Sequence, residues 1–239
     1  MRYAGLIFDL NGVLWWDGHL QEQAWRQFSA EIRGCPFSEE EMAVHVHGRN
    51  NSHTLMYLTG CELGAGELTY LIERKETIYR QLCLDQGPAF RPSPGAIELL
   101  DYLVVHRIPH TIATASGRDN LDFFVVHLHL DRWFDVGRIV YDDGLRPGKP
   151  APDLYLQAAK NLDLKPGRCV VVEDSRSGIQ AARAASIGYV IALGSAHMHS
   201  RLAQLEGVDA VVESLDQVPR ERLFLMRGDR TTSQDSSAP

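Results

Sequence analysis

Apolar residues recur along this chain in two rhythms. Short, unbroken apolar runs at 3–9, 110–114, 138–141, 169–173, 189–193 and 210–212 are what strands buried on both faces of a parallel sheet require. The segments 20–32, 39–46, 51–58 and 66–84 instead space their apolar residues at helical intervals, with no convincing strand among them. From Arg91-Pro92-Ser93-Pro94-Gly95 onward, strand and helix patterns alternate. Pro94 can start a helix through Val105, and further helices are predicted over 119–128, 153–162 and 178–185. Such alternation implies right-handed crossovers and an α/β fold with a doubly wound parallel sheet, interrupted early by an all-helical insert. The expected division is a core domain of 1–16 and 91–227 and a helical domain of 17–90. The polar, aperiodic segment 228–239 reads as a loose tail.

Two of the apolar runs end in carboxylates. Leu6-Ile7-Phe8-Asp9-Leu10-Asn11-Gly12-Val13-Leu14 delivers Asp9 to the end of the first strand, and Val170-Val171-Val172-Glu173-Asp174-Ser175 finishes in adjacent acids, which together suggest a cation site. Between them, Arg146-Pro147-Gly148-Lys149-Pro150-Ala151-Pro152-Asp153 is a proline- and glycine-fixed loop that presents one lysine. Ile112-Ala113-Thr114-Ala115-Ser116 ends a further run in hydroxyls suited to phosphate oxygens. Each feature has a plainer reading: Asp9 and Asp174 as turn or N-cap residues, Thr114, Ser116 and Ser175 as caps, and Lys149 as a surface lysine. Independent turns have no reason to share this order, so the constellation outweighs the separate readings.

In this order the four segments resemble the haloacid dehalogenase superfamily of phosphotransferases and phosphatases. The likeness is greatest to its β-phosphoglucomutase-like branch with a small helical cap, and runs from Arg2 to about Val212. The resemblance implies a Rossmann-like core and a Mg2+-dependent phosphatase for a small phosphate monoester such as a sugar phosphate. It implies Asp9 as nucleophile, with Asp9, the backbone carbonyl of Asn11 and Asp174 as magnesium ligands and Glu173 acting directly or through water. Lys149 would neutralise Asp9 and the phosphoryl group, and Thr114, Ala115 and Ser116 would hold a phosphate oxygen. In the insert, Arg49 of Val46-His47-Gly48-Arg49-Asn50 and Lys75 of Arg74-Lys75 resemble cationic substrate contacts. The chain departs from the family pattern at three places. Asn11 stands where an acid/base aspartate is usual, and an amide has no proton to exchange at ordinary pH. Trp16 replaces another aspartate, and Gln21 aligns with a cap histidine, with His19 two residues away. A sugar-phosphate mutase is the alternative within the enzymes, a metal-free dehalogenase is disfavoured by Glu173 and Asp174, and a non-catalytic phosphometabolite-binding protein is the alternative outside them.

The remaining composition narrows the picture. A formal charge of −7 over 239 residues argues against general nucleic-acid binding, so a phosphate ligand needs local cations. No apolar run is long enough for a bilayer, and without a basic, apolar leader the expected home is cytoplasmic, with the chain a monomer. Cys35, Cys61, Cys83 and Cys169 lack paired spacing and are expected as reduced, mostly buried thiols. The histidines at alternate positions, 45 and 47 or 127 and 129, do not share a helix face as metal ligands would. Trp15, Trp16 and Trp25 are expected to pack core against insert, an entrance role for Trp16 being the alternative.

Overall fold

A computed structural model describes residues 3–47 and 49–224. Its strands are β1 (Gly5–Phe8), β2 (His110–Gly117), β3 (Val140–Asp142), β4 (Cys169–Glu173), β5 (Tyr189–Leu193) and β6 (Ala210–Val212). They form one parallel sheet in the order β3-β2-β1-β4-β5-β6. The helices in chain order are α1 (Gly18–Arg33), α2 (Glu39–Glu41), α3 (Asn51–Thr59), α4 (Ala65–Asp85), α5 (Ala96–Val105), α6 (Arg118–His127), α7 (Asp153–Asn161), α8 (Arg176–Ala184), α9 (His199–Ala203) and α10 (Arg220–Leu223).

The unbroken apolar runs follow from burial of both sheet faces. Leu6, Phe8, Val170 and Val172 join one core with Leu99, Leu103 and Phe124 of α5 and α6. The alternate residues Ile7, Val171, Val190 and Ala192 join another with Tyr155, Ala158 and Ile179 of α7 and α8. A strand with two dry faces has no polar alternation to show. Because β1 pairs with both β2 and β4, the chain order reverses at the sheet centre, and the crevice beyond those carboxyl ends is where such folds place ligands.

The segment between β1 and α5 carries α1 to α4 and no strand among the described residues. These helices enclose a cluster of their own, built on Trp25, Phe28, Phe37, Met42, Leu55, Leu58 and Leu71. α4 also reaches the core: Asn120 of α6 donates to Glu76 Oε2 at 2.8 Å, and Arg80 donates to Asn120 Oδ1 at 2.8 Å.

Several local expectations need correcting. β2 continues to Gly117, past the expected end at Thr114. The predicted helix over 39–46 is one α turn, started by a Ser38–Glu41 capping box, followed by a wider π turn over Met42–Val46. Cys83 and Cys169 are buried, but Cys35 and Cys61 are exposed. Trp15 packs on Phe90 with ring centroids 4.9 Å apart and Trp25 lies in the insert's cluster, whereas Trp16 stays exposed, because it faces a cleft rather than a neighbouring helix. Arg2, Gly48 and the predicted tail 228–239 lie outside the described residues. No helix among the described residues is long and apolar enough to cross a membrane.

Candidate active site

Strand register alone brings the two acidic ends together. Phe8 is level with Val172 across the β1–β4 ladder, and the amide of Asp9 donates to Val172 O at 3.0 Å, so Asp9 and Glu173 leave the sheet side by side. Ligand oxygens of Asp9, Glu173 and Asp174 lie within 4.8 Å of one another. Lys149 Nζ reaches into this group, 3.0 Å from Asp9 Oδ1 and 2.6 Å from Glu173 Oε1.

Glu173 is fully buried and its carboxylate is taken up by the protein. Lys149 and the Tyr155 hydroxyl (2.9 Å) bond to Oε1, while the Ser175 amide (2.8 Å) and hydroxyl (2.9 Å) donate to Oε2. Ser175 in turn accepts from Gly178 N at 3.0 Å and caps α8. Gly178 is required here, because a Cβ at that position would overlap the Glu173 carboxylate. Gly12 plays the same part on the other side: its φ of +76° is a left-handed conformation, and a Cβ would overlap the Asp174 carboxylate.

Three acids around one lysine leave the electrostatics unbalanced. Burial raises Asp9 to about 7 against the opposing pull of Lys149. Burial, then the charges of Glu173, Asp9 and Asp17, push Asp174 well above the usual carboxylate range. Burial acts on Glu173 in the same sense, but the charge and hydrogen bond of Lys149 prevail and hold it low. Burial works against the charge on Lys149, yet Asp9 and Glu173 together keep its pKa above the ordinary lysine value. The grouped oxygens of Asp9, Glu173 and Asp174 could hold a hard cation, which prefers ionised carboxylates and would offset the burial that raises Asp9 and Asp174.

Asn11 is tied into a network that the sequence did not reveal. Its Nδ2 donates to Asp17 Oδ2 at 2.7 Å and to the Tyr79 hydroxyl at 3.0 Å, and its Oδ1 accepts from Ser116 Oγ at 2.7 Å. Asp17 is buried and also accepts from Tyr79 Oη, from Gly12 N at 2.9 Å and from Gln21 at 3.4 Å. Burial outweighs these donors and raises its pKa. Both protons of the Asn11 amide are therefore committed to protein partners.

The other predicted residues fall into two groups. Thr114, two residues beyond the Phe8–Ile112 pair on β2, is buried and accepts from the Ser116 amide at 3.0 Å, while Ala115 is exposed beside it. Arg49 is exposed and donates to Val44 O at 3.2 Å. Lys75 does not reach the cleft as a free cation: it is buried, bonded to Gln21 at 3.0 Å, ion-paired with Glu76, and set 5.1 Å above the Trp25 ring. Asp17, Tyr79 and Tyr155 were missed. Asp17 had a signal, because it immediately follows Trp16, the position where an aspartate is usual; the tyrosines, on distant helices, had none.

Residues 3–186 match the haloacid dehalogenase-like hydrolase family. The chain belongs to that family. It is 32% identical over 193 residues to fructose-1-phosphate phosphatase YqaB of Escherichia coli, covering 79% of this chain and 96% of that one. It is 30% identical over 185 residues to the phosphorylated carbohydrates phosphatase of Thermotoga maritima, covering 76% and 81%. A solved haloacid dehalogenase hydrolase, family IA, variant 3, from Entamoeba histolytica superposes with a TM-score of 0.86 at 32% identity over 92% of this chain and 96% of the other. The β-phosphoglucomutase of Bacillus subtilis is also a relative, at 28% identity over 91% of this chain and 92% of the relative.

Proposed function

We propose that this chain is a magnesium-dependent phosphatase acting on a small phosphate monoester, with a sugar phosphate as the first candidate and Asp9 as the nucleophile. The observation that carries the reading is the placement of Asp9, Asp174 and Lys149 around one point at the switch of the sheet. Asp9, Asp174 and the backbone carbonyl of Asn11 would hold the ion, which supplies charge neutralisation for a phosphate dianion approaching a carboxylate. Glu173, saturated by protein donors, serves the site by fixing Lys149. The segment 17–90 serves as the cap over this crevice, and the chain works as a cytoplasmic monomer.

An Asp9 carboxylate oxygen attacks phosphorus, the bond to the leaving oxygen breaks, and the leaving alkoxide takes up a proton. Water then attacks the phosphorus of the aspartyl-phosphate, loses a proton, and frees Asp9 and inorganic phosphate. Lys149 and the donors around Thr114, Ala115 and Ser116 bind the phosphoryl oxygens. Asn11 cannot carry the proton; among the described residues Asp17 is the other carboxylate on the cleft wall beside Asp174, and it takes that place. The mutase alternative needs a remote phosphate to be gripped, and the burial of Lys75 removes one of its two expected cations.

The test is phosphate release from fructose 1-phosphate with magnesium. Turnover that is lost in Asp9→Asn supports the assignment, and a flat result across phosphorylated sugars, nucleotides and short acids would overturn it.

A further inference from the structure

A cavity of about 480 Å³ opens beside Gly12 and Asp174, between the segment that follows the nucleophile loop and the loop after β5. Trp16 and Met198, 42% and 41% exposed in a chain whose large apolar side chains are mostly buried, both line it, together with Leu193, His19 and Ser195. Asp17 and Asp174 are its carboxylates, and no lysine or arginine is among the lining residues described.

That distribution of charge decides what can enter. A second phosphate lodged here would meet no lysine or arginine among the described lining residues, with Asp174 already committed to the ion, so a bisphosphate is disfavoured. A neutral group with one apolar face meets the indole of Trp16 and the thioether of Met198, while its hydroxyls reach His19 and Ser195. On the reading that the site is a phosphatase, we propose that this cavity binds the leaving group of the substrate and that Trp16 and Met198 select phosphomonoesters of neutral, ring-faced alcohols over bisphosphates and minimal esters.

The experiment compares 2-naphthyl phosphate, acetyl phosphate and fructose 1,6-bisphosphate with magnesium, using the full chain and its Trp16→Ala, Trp16→Phe and Met198→Lys variants. Trp16→Ala should lower kcat/KM for the naphthyl ester about tenfold more than for acetyl phosphate, a typical size for a lost aromatic contact, and Trp16→Phe should recover most of it. Met198→Lys should raise the bisphosphate-to-naphthyl ratio by supplying the missing cation. Equal losses on both monophosphates, or a parent chain that prefers the bisphosphate, would overturn the proposal. If no ester is turned over, the phosphatase reading fails by itself. The cavity is then judged by calorimetry with phenylphosphonate: weaker binding to Trp16→Ala supports it, and unchanged binding contradicts it.

Discussion

The side-chain amide of Asn11 donates to Asp17 Oδ2 at 2.7 Å, so a carboxylate lies directly beside the position where the resemblance leads one to expect an aspartate. Asp17, with Tyr79 and Ser116, occupies both ends of the Asn11 amide. Asn11→Asp would set two carboxylates within hydrogen-bond distance, and they would have to share a proton. The variant should be less stable than the parent at pH 8, with the gap closing at pH 5, and should gain less than about tenfold in turnover, well short of what a placed acid/base supplies. The exchange Asn11→Asp with Asp17→Asn should restore stability at pH 8, whereas Asp17→Asn alone should lower kcat by roughly 10²-fold or more. Thermal melts at the two pH values and steady-state rates check all three.

Gly178→Ala sets two effects against each other. Alanine gains up to about 1 kcal/mol in a helix interior. Overlap with the Glu173 carboxylate costs roughly 1–3 kcal/mol and displaces the anchor of Lys149. The overlap should win. Urea denaturation should show net destabilisation, with a fall in kcat to match.

Lys75→Met should separate structure from binding. The side chain is buried among Gln21, Glu76 and Trp25, so the variant strands Glu76 and should lower the melting temperature while leaving KM for fructose 1-phosphate within about twofold of the parent. A large rise in KM at unchanged stability would return Lys75 to the substrate.

Asp9 gives the metal-free protein a pH dependence of definite sign. Its pKa is raised by burial to about 7, so between the ordinary carboxylate range and that value the folded state binds more protons than the unfolded one. This group's contribution to stability therefore falls as pH rises through that window. Magnesium prefers the ionised carboxylate, so the rise in melting temperature produced by a fixed magnesium concentration should be larger at pH 8 than at pH 5.5. Differential scanning fluorimetry at both pH values reads it directly.

The sheet and the sequential order of the site were legible because they are local. An apolar run that ends in Asp9 or in Glu173-Asp174 announces a buried parallel strand and the group at its tip. The proline-rich loop likewise announces Lys149. The side chains that set the roles were not legible. Glu173 reads as a ligand until Tyr155 and Ser175, brought in from α7 and from the start of α8, are seen to occupy it. Lys75 reads as a surface cation until α4 is wrapped against α1. Asn11 reads as a simple loss until the backbone turn at Gly12 brings Asp17 back against it. Tyr155 and Lys75 depend on tertiary packing between segments that nothing in their own periodicity links, whereas Ser175 and Asp17 depend on the exact turn that each loop takes.

The most direct test is capture of the phosphoryl group itself. Mixing the full chain with fructose 1-phosphate and magnesium, quenching in acid within milliseconds, and measuring intact and peptide masses should show one added phosphoryl group on the peptide that carries Asp9. The adduct should be absent in Asp9→Asn and absent without magnesium. Phosphate release with no such adduct at any quench time, or release that survives Asp9→Asn, would contradict the assignment of Asp9 as the nucleophile.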